Sequence, residues 1–406
     1  MVKRVGYLNE LNKWKDERVI KVVTGVRRCG KSTLLEQFRA ELLGDGVPGE
    51  RVLSVNFEDI QFEELKDYRK LYDYVVQRLQ ADGMNYVFLD EVQLVPDFQK
   101  AVDSLYIREN VDLYITGSNA YLLSGELATM LSGRYVEIKM LPLSFAEYCE
   151  LKQSNEIDAL FADYLRFGAL PYIASMIDPG EKADAYLEGI YNTILVKDIE
   201  LRQNRRERES GKRKVTDIAL LKSIAQFLAN SVGSPVSVKG IADYLTSSGR
   251  KVSQNTVADY VEALVEPFVF YPADRYDVLG KQLLKQNKKL YIVDLGIRRY
   301  LLSQRNYDLG YSIENVVYLE LLRRGNRVCI GKVGKTEVDF VTEVGDVKHY
   351  YQVTASMTEE KTFEREMAPL RAIKDNYPKT VLTLDRFTTG NYDGIEVLYL
   401  PDWLMM

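Results

Sequence analysis

The chain has 406 residues, 46 % of them apolar and 28 % charged, with a formal charge of −5 at pH 7; this composition suits a globular protein of about two to four domains and excludes a global attraction for nucleic acid. One histidine excludes histidine-rich zinc sites and most schemes that pair a nucleophile with histidine. Three scattered cysteines and the lack of any apolar run of about 18 residues exclude a disulfide framework and a membrane span, so we expect a cytoplasmic protein.

The first predicted elements are a buried strand, a glycine-bounded turn and a helix. Residues 18–24, RVIKVVT, have the pattern of a buried strand, and residues 31–43 carry apolar side chains at helical spacing. The turn between them fits the pattern G-x-x-x-x-G-K-[ST] at every position. Backbone N–H groups of such a turn bind a polyphosphate together with the helix N-terminus. The predicted nucleotide-binding residues are Gly25, Val26, Arg27, Arg28, Cys29, Gly30, Lys31, Ser32 and Thr33.

Three side chains of this turn have separate predicted roles. Lys31 would neutralise the β- and γ-phosphates, Ser32 would offer its hydroxyl to magnesium, and Thr33 would support the helix start. The alternative is a glycine turn that binds nothing. The fit of the whole turn and of both flanking elements favours the nucleotide site.

A second apolar strand, NYVFLDEVQ, ends in the acidic pair Asp90 and Glu91. Because it follows a phosphate-binding turn, Asp90 is placed to hold magnesium, usually through water. Glu91 is placed to orient or deprotonate an attacking water. The alternative for such a pair is ordinary loop chemistry.

Two further candidate sites follow along the chain. The strand in VDLYITGSNA ends near Ser118 and Asn119, either of which could hydrogen-bond the γ-phosphate or the attacking water; a helix N-cap is the alternative. Arg134 precedes the next apolar strand and could stabilise transition-state charge, either in its own chain or across a subunit contact. The alternative is a plain surface arginine.

Five predicted strands, near residues 19–24, 52–57, 86–90, 112–116 and 135–139, alternate with helices. This alternation predicts an α/β fold with a parallel sheet covered on both faces. Ligands of such sheets bind beyond the carboxyl ends of the strands. The glycine-bounded turn, Asp90 and Ser118 all follow such ends.

The segments GVRRCGKST, YVFLDEVQ, YITGSNA and GRYVEIKMLPLSFAEY, in this order, resemble the ATP-binding AAA+ superfamily proteins of bacteria and archaea that carry a C-terminal domain of unknown function. The resemblance covers nearly the whole chain. It implies a P-loop ATPase that uses ATP and Mg²⁺, and the preference for adenine is carried by this resemblance. It implies no single cellular role.

Residues 151–214 are predicted to form a helical lid or connector that ends in a basic segment, RQNRRERESGKRK (Arg202 to Lys214). A solvated linker is the usual meaning of such a run, and a phosphate-contacting loop is the alternative.

Residues 215–305 follow a pattern of three helices and a hairpin, which resembles a winged helix. In such domains the third helix often enters the major groove of DNA, and its leading end here carries Gln254, Asn255 and Thr256. Lysines of the hairpin, including Lys288 and Lys289, favour DNA, whereas acids on the third helix oppose it. The alternative is a protein-contact module.

Residues 306–406 give a helix with an early acid and then three alternating strands, which resembles a PD-(D/E)xK nuclease-like core. The resemblance implies that Glu314 and Asp339 fit the metal-gathering acids, while Gln352 stands in the place of the third acid and Thr354 in that of the lysine. Glutamine is a weaker metal ligand than glutamate, and a hydroxyl does not stabilise phosphorane charge as an ammonium does. The favoured interpretation is a degenerate site on a scaffold that binds DNA or protein.

Together these patterns predict a P-loop AAA+ ATPase domain over residues 1–150, followed by the connector, a winged-helix-like domain and an α/β restriction-endonuclease-like domain. The predicted function is a Mg²⁺-dependent ATPase whose nucleotide state is coupled to a C-terminal half that binds DNA or a protein partner, with a homo-oligomer as a further expectation. The alternatives are an ATP-binding switch or scaffold with little hydrolysis and, third, an ATP-dependent nuclease.

Overall fold

The structure is a computed structural model that describes residues 2–117, 131, 133–193, 217–302, 308–345 and 347–406, without the side chains of residues 285–287. The chain divides into two compact units. The N-terminal unit comprises residues 1–141 and 266–268, and the C-terminal unit comprises residues 142–265 and 269–406.

The N-terminal unit is a parallel sheet with helices. Its described helices are α1 (Val5–Lys13), α2 (Lys31–Gly44), α3 (Tyr68–Val76) and α4 (Phe98–Tyr106). Its strands are β1 (Ile20–Thr24), β2 (Val52–Asn56), β3 (Asn85–Asp90), β4 (Val111–Gly117) and β5 (Tyr135–Lys139). They form one parallel sheet in the order β2-β3-β4-β1-β5, which confirms the predicted α/β fold and the five strand positions.

The middle of this sheet is fully covered. Every residue of β1 and β3 is buried, as is typical of parallel strands with helices on both faces. Apolar side chains of β1 to β4 pack against α3 and α4 in one core. Because all five strands run in one direction, the residues that follow β1, β3 and β4 lie at the same edge of the sheet.

The C-terminal unit mixes helices with a second sheet. Its described helices are α5 (Phe145–Lys152), α6 (Ile157–Phe167), α7 (Pro171–Ala174), α8 (Gly180–Asn192), α9 (Ile218–Asn230), α10 (Val238–Ser247), α11 (Gln254–Val265), α12 (Leu295–Leu301), α13 (Leu309–Arg323), α14 (Glu360–Ala372) and α15 (Leu400–Met405). Its strands are β6 (Phe270–Asp277), β7 (Gln282–Ile292), β8 (Arg327–Val333), β9 (Thr336–Val344), β10 (Val347–Thr354), β11 (Lys379–Thr383), β12 (Gly390–Tyr392) and β13 (Ile395–Tyr399). The predicted basic segment at residues 202–214 lies outside the described residues. Among the helices described, none has the length and apolar character to cross a membrane.

The second sheet joins elements that the sequence pattern assigns to two domains. Its strand order is β12-β13-β11-β10-β9-β8-β6-β7. Helices α9 to α11 and the β6–β7 hairpin follow one another as predicted, but β6 also pairs in parallel with β8. The predicted boundary between residues 305 and 306 therefore divides strands that the structure joins in one sheet.

His349, the single histidine, lies on β10 and stacks on the ring of Tyr351, with ring centroids 4.1 Å apart. Its Nε2 lies 2.8 Å from Thr380 Oγ1, and burial lowers the pKa of His349 to about 4. Since an unfolded histidine titrates near pH 6.5, the unfolded chain binds the additional proton between these two values. The stability that the neutral ring contributes is therefore present above about pH 6.5 and is lost as the pH falls towards 4.

We expect His349→Gln to flatten the pH dependence of the free energy of unfolding below about pH 6.5 and to leave it unchanged above about pH 7. One group contributes at most about 1.4 kcal/mol per pH unit, and the partial exposure of the ring reduces this. Urea unfolding of both proteins across this pH range measures the difference. Parallel profiles would contradict a neutral, buried His349.

Candidate active site at the carboxyl edge of the parallel sheet

The glycine-bounded turn, residues 25–32, runs directly from β1 into α2. Gly25 has a φ of 152°, and a Cβ at this position would lie 2.2 Å from the carbonyl oxygen of Met140. Gly30 has a φ of 104° and is the N-cap of α2. Both positions therefore require glycine, the first for lack of space and the second for its backbone conformation.

Lys31 is the first residue of α2, and its side chain is buried. Its Nζ lies 3.1 Å from the carbonyl oxygen of Gly25 and 3.4 Å from that of Val26. The same Nζ lies 3.8 Å from Glu91 Oε1. The turn thus wraps around a buried cation that faces a carboxylate from the end of β3.

The two predicted acids lie beside this cation. Asp90 ends β3 and Glu91 follows it in a left-handed backbone conformation with a φ of 55°, and both side chains are buried. Thr116 on β4 donates its hydroxyl hydrogen to Asp90 Oδ1. Its Oγ1 also accepts the backbone N–H of Glu91, with 2.9 Å between N and O. The structure therefore brings the predicted residues Lys31, Asp90 and Glu91 to one edge of the sheet.

Ser32 and Asp90 supply the oxygen atoms that a magnesium ion prefers. The Ser32 hydroxyl hydrogen-bonds the Asp90 carboxylate. Burial raises the pKa of Asp90 above its usual value, while the hydrogen bonds from Thr116 and Ser32 act in the opposite direction. Carboxylate and hydroxyl oxygens are hard ligands suited to Mg²⁺. These two residues therefore fit the predicted metal-holding role.

Three residues of the site were not indicated by the sequence pattern. Thr116 joins the two acids, and Gln93 donates its side-chain N–H to Glu91 Oε2. Arg4 is 3 % exposed; its guanidinium donates to the carbonyl oxygens of Cys29 and Leu141, at 3.2 and 2.9 Å. Arg4, which lies outside the motif in the sequence, thus contacts the turn through the carbonyl oxygen of Cys29. A hydroxyl at the end of an apolar strand was a signal for Thr116, whereas nothing local marks Arg4.

The remaining turn residues differ in exposure. Arg27 pairs with Glu58, with 3.2 Å between N and O, and Arg28 is exposed. Cys29 is buried, which raises the pKa of its thiol. Val26 is buried as well, and Thr33 is half-buried in the first turn of α2. The predicted residues Ser118 and Asn119 lie outside the described part of the chain.

Arg134 lies near the amino ends of the strands, whereas the turn follows the carboxyl end of β1. It is exposed and directly precedes β5, whose first residue pairs with Ile20, whereas the turn follows Thr24 at the other end of β1. At about 3.3 Å per strand residue, these two ends of β1 are roughly 13 Å apart. The Arg134 guanidinium lies 5.3 Å from the ring centre of Tyr106. The structure does not bring Arg134 to the site of its own chain, and its role across a subunit contact stays a prediction beside that of a plain surface arginine.

The predicted DNA-contact residues open helix α11. Gln254 and Asn255 are exposed, whereas Thr256 is half-buried and donates its backbone N–H to Ser253 Oγ at 3.1 Å. Two amide side chains are thus available to a partner at this helix end.

The residues predicted for the nuclease-like site lie close together in the second sheet. Asp339 on β9 donates its backbone N–H to Gln352 Oε1 on β10 at 3.4 Å, and the buried Glu314 on α13 faces Asp339. Thr354 donates its hydroxyl to the carbonyl oxygen of Ser356 at 3.1 Å.

Two protein-family models match the chain. A model described as an AAA domain matches residues 17–149, and a domain of unknown function (DUF8612) matches residues 158–308. Among solved structures, the Walker-type ATPase PABY2304 of Pyrococcus abyssi is similar, with a TM-score of 0.50 and 17 % identity. The match covers 74 % of this chain and 96 % of that chain. This likeness shows a shared fold.

Two relatives match along most of their length. An uncharacterized protein of Haemophilus influenzae is 39 % identical over 100 % of this chain and 99 % of its own. The uncharacterized protein MJ1544 of Methanocaldococcus jannaschii is 29 % identical over 94 % of this chain and 85 % of its own. The turn, the buried lysine and the acidic pair described above all lie within the residues matched by the AAA model. The chain therefore belongs to the same family as the Haemophilus influenzae protein, and its residues 17–149 match the AAA domain.

Proposed function

We propose that the AAA domain binds ATP with Mg²⁺ and hydrolyses it by attack of water on the γ-phosphate. The observation that carries this proposal is the Thr116 hydroxyl, which ties Asp90 to Glu91 beside the buried Lys31. Hydrolysis at a P-loop needs a cation for the phosphates, oxygen ligands for the metal and an acid near the attacking water. These three parts lie together at one sheet edge.

Each part has one proposed task. Residues 25–33 would hold the triphosphate through backbone N–H groups and the N-terminus of α2. Lys31 would exchange its carbonyl contacts for β- and γ-phosphate oxygens, and Ser32 with Asp90 would hold Mg²⁺, whose charge offsets that of the phosphates. Glu91 would accept the proton of the attacking water.

Two predicted contributions complete this proposal. Ser118 or Asn119 would contact the γ-phosphate or the attacking water. Arg134, placed near the amino ends of the strands, would stabilise transition-state charge in the site of a neighbouring copy, which makes a homo-oligomer part of the proposal.

Calorimetry with MgATP and MgGTP, followed by measurement of phosphate release, tests the proposed activity. We expect uptake of ATP and slow, Mg²⁺-dependent turnover. A folded protein that takes up neither nucleotide would end the proposal. Uptake without turnover would favour an ATP-binding switch or scaffold.

Thr116→Val tests the residue that joins the two acids. We expect the rate of phosphate release to fall by roughly tenfold to a hundredfold with little change in KM, because Glu91 loses its backbone anchor and misplacement of a catalytic group by about 1 Å has such effects. Ser104→Ala is the matched control, since it removes an exposed hydroxyl of the same unit that donates to the carbonyl oxygen of Lys100. Equal losses in both variants would contradict the role of Thr116.

The C-terminal unit is proposed to bind DNA or a protein partner in step with the nucleotide state, through the predicted connector, winged-helix-like and nuclease-like parts. The exposed Gln254 and Asn255 at the start of α11, with the exposed Lys251 before it, favour DNA.

A protein that contacts several phosphates loses affinity for DNA steeply as the salt concentration rises. DNA binding measured from low to moderate salt, with Gln254→Ala and Asn255→Ala, tests this. Flat or absent binding would favour a protein scaffold, and plasmid nicking that Asp339→Ala abolishes would favour a nuclease.

A further inference from the structure

A buried ionic cluster lies where the β6–β7 hairpin meets α13 and β9 of the C-terminal unit. Lys289 on β7 is 4 % exposed, and its Nζ lies 3.1 Å from Glu314 Oε1 and 2.7 Å from Glu337 Oε1. Tyr291, further along β7, donates its hydroxyl to the same Glu314 oxygen at 2.6 Å. The neighbouring Lys288 is exposed and pairs with Asp274. Of these two adjacent lysines, only Lys288 is available to DNA, so the expected contribution of Lys289 to DNA contact is wrong.

Cations of the protein itself contact acids of this cluster. Among the described residues, Glu314 and Glu337 contact such cations, and the carboxyl groups of Asp339 and Glu366 lie nearby. Lys289 contacts the first two acids, and Arg275 on β6 lies 3.4 Å from Glu337. Burial and the nearby Glu314 raise the pKa of Asp339 well above its usual range.

The same acids are those that the sequence pattern assigns to metal binding. Glu314 points one oxygen at the Lys289 ammonium and the Tyr291 hydroxyl, and Asp339 Oδ2 accepts the backbone N–H of Val353 at 2.7 Å. Within the described ranges, no group of three or more histidine, cysteine, aspartate or glutamate side chains is arranged to hold a metal ion. One oxygen of each of these two carboxyl groups thus accepts from a protein donor.

We propose that the ammonium group of Lys289 takes the place of a divalent cation in this cluster and locks the β6–β7 hairpin to α13 and β9. A metal ion at Glu314 would meet a buried ammonium of like charge. Loss of the ammonium would leave two buried or half-buried carboxylates without their shared cation, and an unpaired buried charge is strongly destabilising.

The backbone of β7 also contacts the segment that connects α9 and α10. Val236, between α9 and α10, donates its backbone N–H to the carbonyl oxygen of Lys288 at 3.0 Å, and Pro235 forms a bridge with Lys289. The stretch of β7 that holds the ammonium therefore also holds the segment that connects two helices. The residue that carries the ammonium group therefore lies in a strand whose backbone also contacts this segment.

Thermal unfolding of the full chain at pH 7.5, without nucleotide, tests the lock through Lys289→Met and the matched control Lys288→Met. We expect Lys289→Met to lower the Tm by roughly 6 to 15 °C. Lys288→Met removes an exposed ion pair next to it and should lower the Tm by less than about 2 °C. Adding Glu314→Gln to Lys289→Met should restore at least half of the loss, because the uncompensated charge is removed. Equal losses in the two lysine variants, or no recovery in the double variant, would overturn the proposal.

Binding of Mn²⁺, followed by electron paramagnetic resonance without nucleotide, tests the exclusion of a metal from the cluster in the wild type. We expect the wild type and Asp339→Asn to take up equal amounts of Mn²⁺. We expect Lys289→Met, if folded, to gain a site that Asp339→Asn removes again. Uptake by the wild type that is lost in Asp339→Asn would show a metal in the cluster and would overturn the proposal.

Discussion

Glu91→Gln is expected to lower the rate of phosphate release by about 10²- to 10⁴-fold while the affinity for MgATP changes little. The Glu91 carboxylate is buried, its backbone is anchored on Thr116, and one oxygen faces Lys31 Nζ at 3.8 Å. Glutamine keeps the size of the side chain and an oxygen that accepts from Gln93. It cannot take the proton of the attacking water, so the loss should fall on the chemical step.

The exposed ion pair between Lys70 and Glu64 supplies a matched control for this variant. Its N–O distance of 3.6 Å is close to that of the Lys31–Glu91 pair, but the Glu64 side chain is 87 % exposed and that of Glu91 is 8 % exposed. Glu64→Gln should leave phosphate release unchanged. Calorimetry separates binding from turnover, and wild-type turnover in Glu91→Gln would remove this residue from the proposed mechanism.

The N-terminal fold follows from signals that are local in the chain. The turn needs a Cβ-free residue at Gly25 and a left-handed conformation at Gly30, and both glycines stand at the positions of the motif. β3 is buried on both faces, so its whole length reads as one apolar run that ends at Asp90. Because parallel strands end at one edge, the order of the motifs predicts which side chains meet.

The site residues that the pattern did not indicate depend on contacts between distant parts of the chain. Thr116 meets Asp90 across 26 positions, and Arg4 meets Cys29 across 25 and Leu141 across 137. A threonine near the end of an apolar strand has the same local pattern whether or not it faces an acid. Only the strand order, with β4 between β3 and β1, brings its hydroxyl between the two parts of the site.

The burial of Lys289 in the second sheet also depends on contacts between distant parts of the chain. In the hairpin sequence it is one lysine among several. Its ammonium group is held by Glu314, which lies 25 positions later on a helix, and by Glu337 on β9. A charge is buried there because its partners are assembled by the fold, and no local pattern contains them.

Lys31→Met is expected to abolish the stabilisation of the protein by MgATP. For the wild type, a ligand at about 100 times its Kd contributes roughly 2.7 kcal/mol, which corresponds to a rise in Tm of roughly 5 to 10 °C for a unit of this size. The Lys31 ammonium lies beneath the turn and contacts the carbonyl oxygens of Gly25 and Val26. Methionine fills a similar volume but supplies no charge for the phosphates.

Comparison with Lys70→Met separates this loss of binding from a loss of folding. Lys70 is 60 % exposed and pairs with Glu64 on the surface, so its variant should keep both the Tm without nucleotide and the full shift with MgATP. Lys31→Met also leaves the buried Glu91 without its cation, so its Tm without nucleotide should fall and the shift must be measured from that lower value. If Lys31→Met still shows the wild-type shift, the Lys31 ammonium group does not hold the triphosphate.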